Sequence, residues 1–242
     1  MRITVIEHEA DAGLGYLGRW LDLPCDVVRP YRGEPVPEAA ADGLVVLGGE
    51  AAAWEDERWP WLPATRELLR RSVADATPTL AVCLGAQLLT LACGGTVERG
   101  GNGLEAGVSE LTALPQAASD PLFAGIAARP GPVPAVQYHG DAMTRLPDGA
   151  VPLMAGAQYP NQAYRLGPAA WAVQFHPEAT PDIFATWTAA TGLESAGRLD
   201  EQVRAAAPAL ESAWRPLAEA FTATIRAAAR QRAGDLRTSD RG

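Results

Sequence analysis

Cys83 stands at the joint between two runs of different character. Thr79-Leu80-Ala81-Val82 is a short apolar run of strand type, and Leu84 to Thr90 continues, without loop residues, into a helix-forming segment that stops at Gly94-Gly95. A strand that enters a helix through small residues, here Ala81 and Gly85 on either side of Cys83, must turn sharply and lift the middle side chain clear of the sheet edge. That is the logic of the nucleophile elbow, read here as Ala-x-Cys-x-Gly. A helix that begins just after Cys83 directs unpaired N–H groups and partial positive charge at the sulfur, which favours thiolate over thiol. The same donors, that of Leu84 above all, suit a developing oxyanion in acyl transfer. Gln87 lies one turn along the same face and is expected to look into the same pocket. Free cysteine is also among the most buried residue types, so the elbow alone leaves both a core thiol and a nucleophile open.

A nucleophile of this kind needs a base, and the chain offers His8, His139 and His176. His176 follows the apolar run Trp171–Phe175, which Pro177 ends, so it is expected at the same sheet edge as Cys83. Glu178, across the proline, can accept the proton of the second ring nitrogen and fix tautomer and orientation. Leu44–Leu47 is another continuous apolar run, and it stops abruptly at Gly48-Gly49, where backbone can approach a ligand closely. That glycine pair is therefore the natural second donor site for an oxyanion.

The elements that must position these groups alternate. Strands are expected at Arg2–Ile6, Cys25–Val28, Leu44–Leu47, Thr79–Val82, Val108–Thr112, Val133–Gln137, Val151–Ala157 and Trp171–Phe175. Helices are expected at Gly15–Leu23, Thr65–Val73, after Cys83, Ile183–Thr191 and Val203–Ala229. Ala51–Pro63, with Trp54, Trp59 and Trp61, reads as a loop with a folded-back aromatic cluster. Such alternation predicts an α/β fold with a mostly parallel sheet and helices on both faces, where ligands bind beyond the carboxyl ends of the strands. Residues 1–192 are expected to form the α/β domain, 193–231 a helical extension of it, and 232–242 a polar, unstructured tail.

A formal charge of −9 with scattered Lys and Arg argues against nucleic acid as a partner. No apolar run approaches the roughly 18 residues of a membrane span, and the N-terminus meets Glu7, His8 and Glu9 too early for a signal peptide. The expectation is a cytoplasmic protein that contacts neither membrane nor nucleic acid. Three cysteines without C-x-x-C spacing suggest reduced thiols and no metal site.

Taken together, Cys83-Leu84-Gly85-Ala86-Gln87 and Gln174-Phe175-His176-Pro177-Glu178, with Gly48-Gly49 upstream, resemble the class I, triad-type glutamine amidotransferases. Gln137-Tyr138-His139-Gly140-Asp141 and Asn161-Gln162-Ala163-Tyr164-Arg165 resemble, more narrowly, stand-alone relatives of the glutaminase domain of GMP synthase. The resemblance spans about residues 1 to 230. It implies a flavodoxin-like sheet with an added antiparallel portion and no cofactor. It further implies hydrolysis of a γ-carboxamide by Cys83, His176 and Glu178 through a thioester, with the N–H groups of Gly49 and Leu84 as oxyanion hole. Gly48, Gln87, Tyr138 and His139 would contact substrate. Glu50 stands where the family often has Pro, Ala81 where it has Gly, and Tyr138 where Trp is common. The expected substrate is glutamine, with ammonia passed to a synthetase on another chain. A γ-glutamyl peptidase, using the same triad on a bulkier amide, is the alternative, and a catalytically weak regulatory or binding subunit is a third reading.

Overall fold

The computed structural model describes residues 1–239. Four mostly apolar strands, β1 (Ile3–Ile6), β3 (Gly43–Val46), β4 (Thr79–Val82) and β11 (Ala170–Val173), are buried along their whole length. Such apolar runs suit strands covered on both faces. With β2 (Cys25–Val28) they lie in the order β2-β1-β3-β4-β11, all parallel. This is the 2-1-3-4 succession of flavodoxin-like sheets, with β11 in fifth place. Beyond β11 the sheet continues antiparallel through β10 (Ala163–Leu166), β9 (Val151–Gly156), β6 (Glu105–Ala113) and β7 (Val133–His139). A separate pair joins β5 (Thr96–Arg99) to β8 (Asp141–Arg145).

Side chains on a strand alternate between faces, so the central strands feed two cores. Ile3, Val5, Val45, Leu47, Leu80 and Val82 pack on one side, beneath α1 (Leu17–Trp20), α5 (Pro181–Thr191) and α6 (Ala196–Ser239). Ile6, Leu44, Val46 and Ala81 face the other, beneath α2 (Leu62–Ala74) and α3 (Leu84–Ala92). The remaining short helix, α4 (Ala124–Ala127), packs against α6. The α/β class and the helices on both faces agree with expectation.

Several elements differ from their expected extent. The first helix is one turn, not the whole of Gly15–Leu23, because the chain is already extended at Leu21. The last helix starts at Ala196 and passes through Pro208 and Pro216. Residues 232–239 of the expected tail continue it, and Arg232 reaches Asp42 at 3.4 Å. Residues 240–242 lie outside the described residues. No described helix is long and apolar enough to cross a membrane.

Candidate active site

Cys83 caps the N-terminus of α3 at φ 49° and ψ −106°, a conformation that costs about 1–3 kcal/mol for a residue with a side chain. Its surroundings enforce it. The Cys83 N–H donates to the Val173 carbonyl at 2.8 Å, and its own carbonyl accepts from Gln87 N–H at 3.0 Å. A Cβ on Gly85 would stand 2.3 Å from the Val46 carbonyl oxygen, so only glycine lets α3 seat this closely on β3. The turn therefore lifts the thiol to the carboxyl edge of the parallel strands.

His176 arrives at that edge from β11, its N–H donating to the Val136 carbonyl at 2.8 Å. The ring's Nδ1 and Glu178 Oε1 are 2.7 Å apart, both side chains buried. Nε2 has no partner among the described residues, and His176 lines the same cavity as Cys83. Burial acts to lower the proton affinity of this ring, but Glu178 and Cys83 outweigh it and hold His176 well above the ordinary histidine range. A Cβ on Gly48 would lie 3.1 Å from the His176 ring and 3.5 Å from Cys83 Cβ, so the two side chains flank a position that must stay bare. The Trp187 ring covers His176, centroids 4.6 Å apart.

The cavity encloses about 490 Å³, within the span of small-molecule sites. Gln87, Tyr138 and His139 line it, as does Gly49; Gly48 and Leu84 do not. Gln87 Nε2 donates to the Asp141 carbonyl and to Gln174 Oε1, both at 3.3 Å. Gln174 Nε2 in turn reaches Cys83 Sγ at 3.7 Å. The His139 ring is held between the Asp141 carbonyl, 2.8 Å from Nδ1, and Glu105, 3.1 Å from Nε2. The Tyr138 hydroxyl donates to the Trp187 carbonyl at 3.2 Å. The N–H groups of Gly49 and Leu84 make no backbone hydrogen bond among the described residues, which leaves them available as oxyanion donors. His8 is set apart: its buried ring accepts from Trp61 Nε1 at 3.1 Å, and burial pushes its proton affinity down to about 4. The Glu50 side chain is 62% exposed and its carboxylate lies 3.9 Å from Arg58. Among the described residues no group of three or more His, Cys, Asp or Glu could hold a metal ion.

Other residues at the site carried no signal in the sequence. The Tyr16 N–H donates to the Glu178 carbonyl at 2.9 Å, and a Cβ on Gly15, at φ 45°, would stand 2.1 Å from that oxygen. Gly15-Tyr16 thus seats the backbone of Glu178 from the far end of the chain. Trp187, Glu9 and Asp11 also line the cavity. Nothing near them in sequence marks them out, since their neighbours in space come from other elements.

Residues 17–190 match the family described as Glutamine amidotransferase class-I. The chain is 31% identical over 145 residues to the glutamine-hydrolysing GMP synthase of Thermotoga maritima, covering 60% of this chain and 26% of that protein. It is 34% identical over 183 residues to the same enzyme of Mycolicibacterium paratuberculosis, covering 67% and 31%. It thus spans between a quarter and a third of these relatives. Among solved structures it is similar to a glutamine amidotransferase of Thermotoga maritima, with a TM-score of 0.78 and 26% identity over 92% of this chain and 98% of that one. A glutamine amidotransferase of Methylobacillus flagellatus gives 0.73 and 26%, covering 94% of each chain.

Proposed function

Because the chain belongs to the class-I glutamine amidotransferase family, we propose that it hydrolyses the γ-carboxamide of glutamine with a Cys83–His176–Glu178 triad and releases ammonia to a separate acceptor enzyme. The observation that carries this reading is the buried His176–Glu178 pair at 2.7 Å, with the free Nε2 in the cavity that Cys83 shares. Cys83 Sγ attacks the amide carbon, and the oxyanion is held by the N–H groups of Gly49 and Leu84. His176 delivers a proton to the departing nitrogen, the C–N bond breaks, and a thioester remains. The imidazole then takes a proton from water, which attacks the thioester and frees glutamate. Glu178 fixes the tautomer and stabilises the imidazolium. Gln87, Tyr138 and His139 shape the wall that takes the amino-acid end. The likeness to glutamine-hydrolysing GMP synthases supports a synthetase as the ammonia acceptor.

Cavity size favours the second reading, a γ-glutamyl hydrolase, because 490 Å³ leaves room for a leaving group larger than ammonia. Both readings share the triad, and one set of variants tests it. Cys83→Ala and His176→Ala should each lower glutamine turnover by about 10³-fold or more, with Glu178→Gln losing less. Glu178 raises the proton affinity of His176, so Glu178→Gln should also move the alkaline limb of kcat/KM to lower pH. A mild His176→Ala beside a severe His139→Ala would overturn the assignment.

A further inference from the structure

The cavity has two walls of different charge. One wall holds Gln87 and His139, both hydrogen-bonded to the Asp141 carbonyl, and carries Arg99, which pairs with Asp141 at 3.1 Å. Beside His176 the wall is acidic. Glu9 and Asp11 follow β1, and Glu50 follows the glycine pair. Glu50 faces Arg58, but Glu9 and Asp11 have no cationic partner among the described residues. One oxygen of Glu9 accepts the Glu50 N–H at 3.2 Å. Trp187, the ring that covers His176, donates from Nε1 to the Asp11 carbonyl at 3.0 Å and so fastens this loop to the same helix. Clustered acids alone would not make a site. This cavity is one on separate grounds, because the buried, unpartnered Nε2 of His176 is directed into it.

Proton delivery fixes which part of a substrate meets this wall. The departing nitrogen must stand at His176 Nε2, and the lining that adjoins His176 includes Trp187, which covers its ring and holds the Asp11 carbonyl, and Glu9, so a substituent on that nitrogen meets these residues. Apolar surface followed by carboxylates fits methylenes followed by a cation. We propose that this wall is a leaving-group subsite and that the protein hydrolyses γ-glutamyl amides whose amine part ends in a second, positively charged amino group. The inference rests on the triad reading above. The reaction is the same in its bonds: Sγ–C forms, C–N breaks, the diamine leaves with the proton from His176, and water returns glutamate and the thiol.

Burial raises the Glu9 carboxyl to about 7, with Asp11 and Glu50 adding to the rise and the Glu50 N–H and His176 opposing it. Its charge therefore develops between pH 6 and 8, while a terminal ammonium stays protonated throughout. The test compares γ-glutamyl-(4-aminobutyl)amide with its neutral isostere γ-glutamyl-pentylamide, and with glutamine. At pH 8 the cationic amide should have a kcat/KM roughly tenfold above the isostere, the lower range of one opposite charge near a protein surface. That ratio should fall toward one in Glu9→Gln and in Asp11→Asn, and should narrow at pH 6 in the wild type. A ratio at or below one, or a preference unchanged in both variants, would overturn the inference. Equal losses on all three substrates would also overturn it, because the wall would then serve the α-ammonium group they share. Failure of the triad reading looks different: none of the three would be hydrolysed in a Cys83-dependent way.

Discussion

Cys83 holds a backbone conformation that most side chains avoid, and it does so because Val173 fixes its N–H while α3 starts at the next residue. Glycine adopts positive φ without steric cost but gives up more chain entropy on folding. The strain term is the larger, so Cys83→Gly should be about 1 kcal/mol more stable than Cys83→Ala in urea unfolding, although neither retains a nucleophile. Equal stabilities would mean that the turn is not strained. At this scale the sequence was informative wherever residues that meet in space are also close in the chain. Cys83 sits two residues from both Ala81 and Gly85, and His176 two from Glu178, so strand, turn and partner could be read together. Gly15 could not be read this way, because the carbonyl that forbids it a side chain belongs to Glu178.

The elbow is set between two elements, and Gly85 decides how closely they approach. A methyl group there meets the Val46 carbonyl, which belongs to a sheet buried on both faces and cannot yield cheaply. Gly85→Ala should therefore cost about 1–3 kcal/mol in stability and, by lifting α3 from β3, lower kcat more than a remote substitution of equal ΔΔG. Chemical denaturation with parallel kinetics checks both parts; a stable, fully active variant would show that the contact is not required. Legibility among the elements followed burial. β1, β3, β4 and β11 are mostly apolar, buried throughout, and announced themselves. β5 and β8 did not: Thr96-Val97-Glu98-Arg99 has only one fully buried side chain, and its pairing is set by a distant strand rather than by its own pattern. β10 likewise has a weak pattern of its own, since Arg165 interrupts its apolar residues to reach Asp120.

Across the whole molecule, α6 joins the parallel and antiparallel halves. It lies on β6 and β7, while Ile225 sits against Gly43 at the start of β3. Trp214 is its largest fully buried residue: the ring packs on Phe175 at 4.3 Å, next to His176, and its Nε1 donates to the Pro134 carbonyl at 2.8 Å. Trp214→Ala should cost about 3–5 kcal/mol and lower the melting temperature measured by calorimetry. Loss of less than about 1 kcal/mol would mean that the helix is not a structural member. The expected helix Val203–Ala229 already runs through Pro208 and Pro216, and the observed one extends beyond it at both ends, from Ala196 to Ser239. Translation adds an order to this architecture. The ribosome completes Cys83, His176 and Glu178 before it makes any residue of α6, so the nascent chain holds the whole proposed triad while the sheet beneath Phe175 is still bare. During that interval the apolar face that α6 later covers, Phe175 included, is open to water. Docking of α6, made after these residues, thus sets the moment at which the sheet that carries His176 becomes solid.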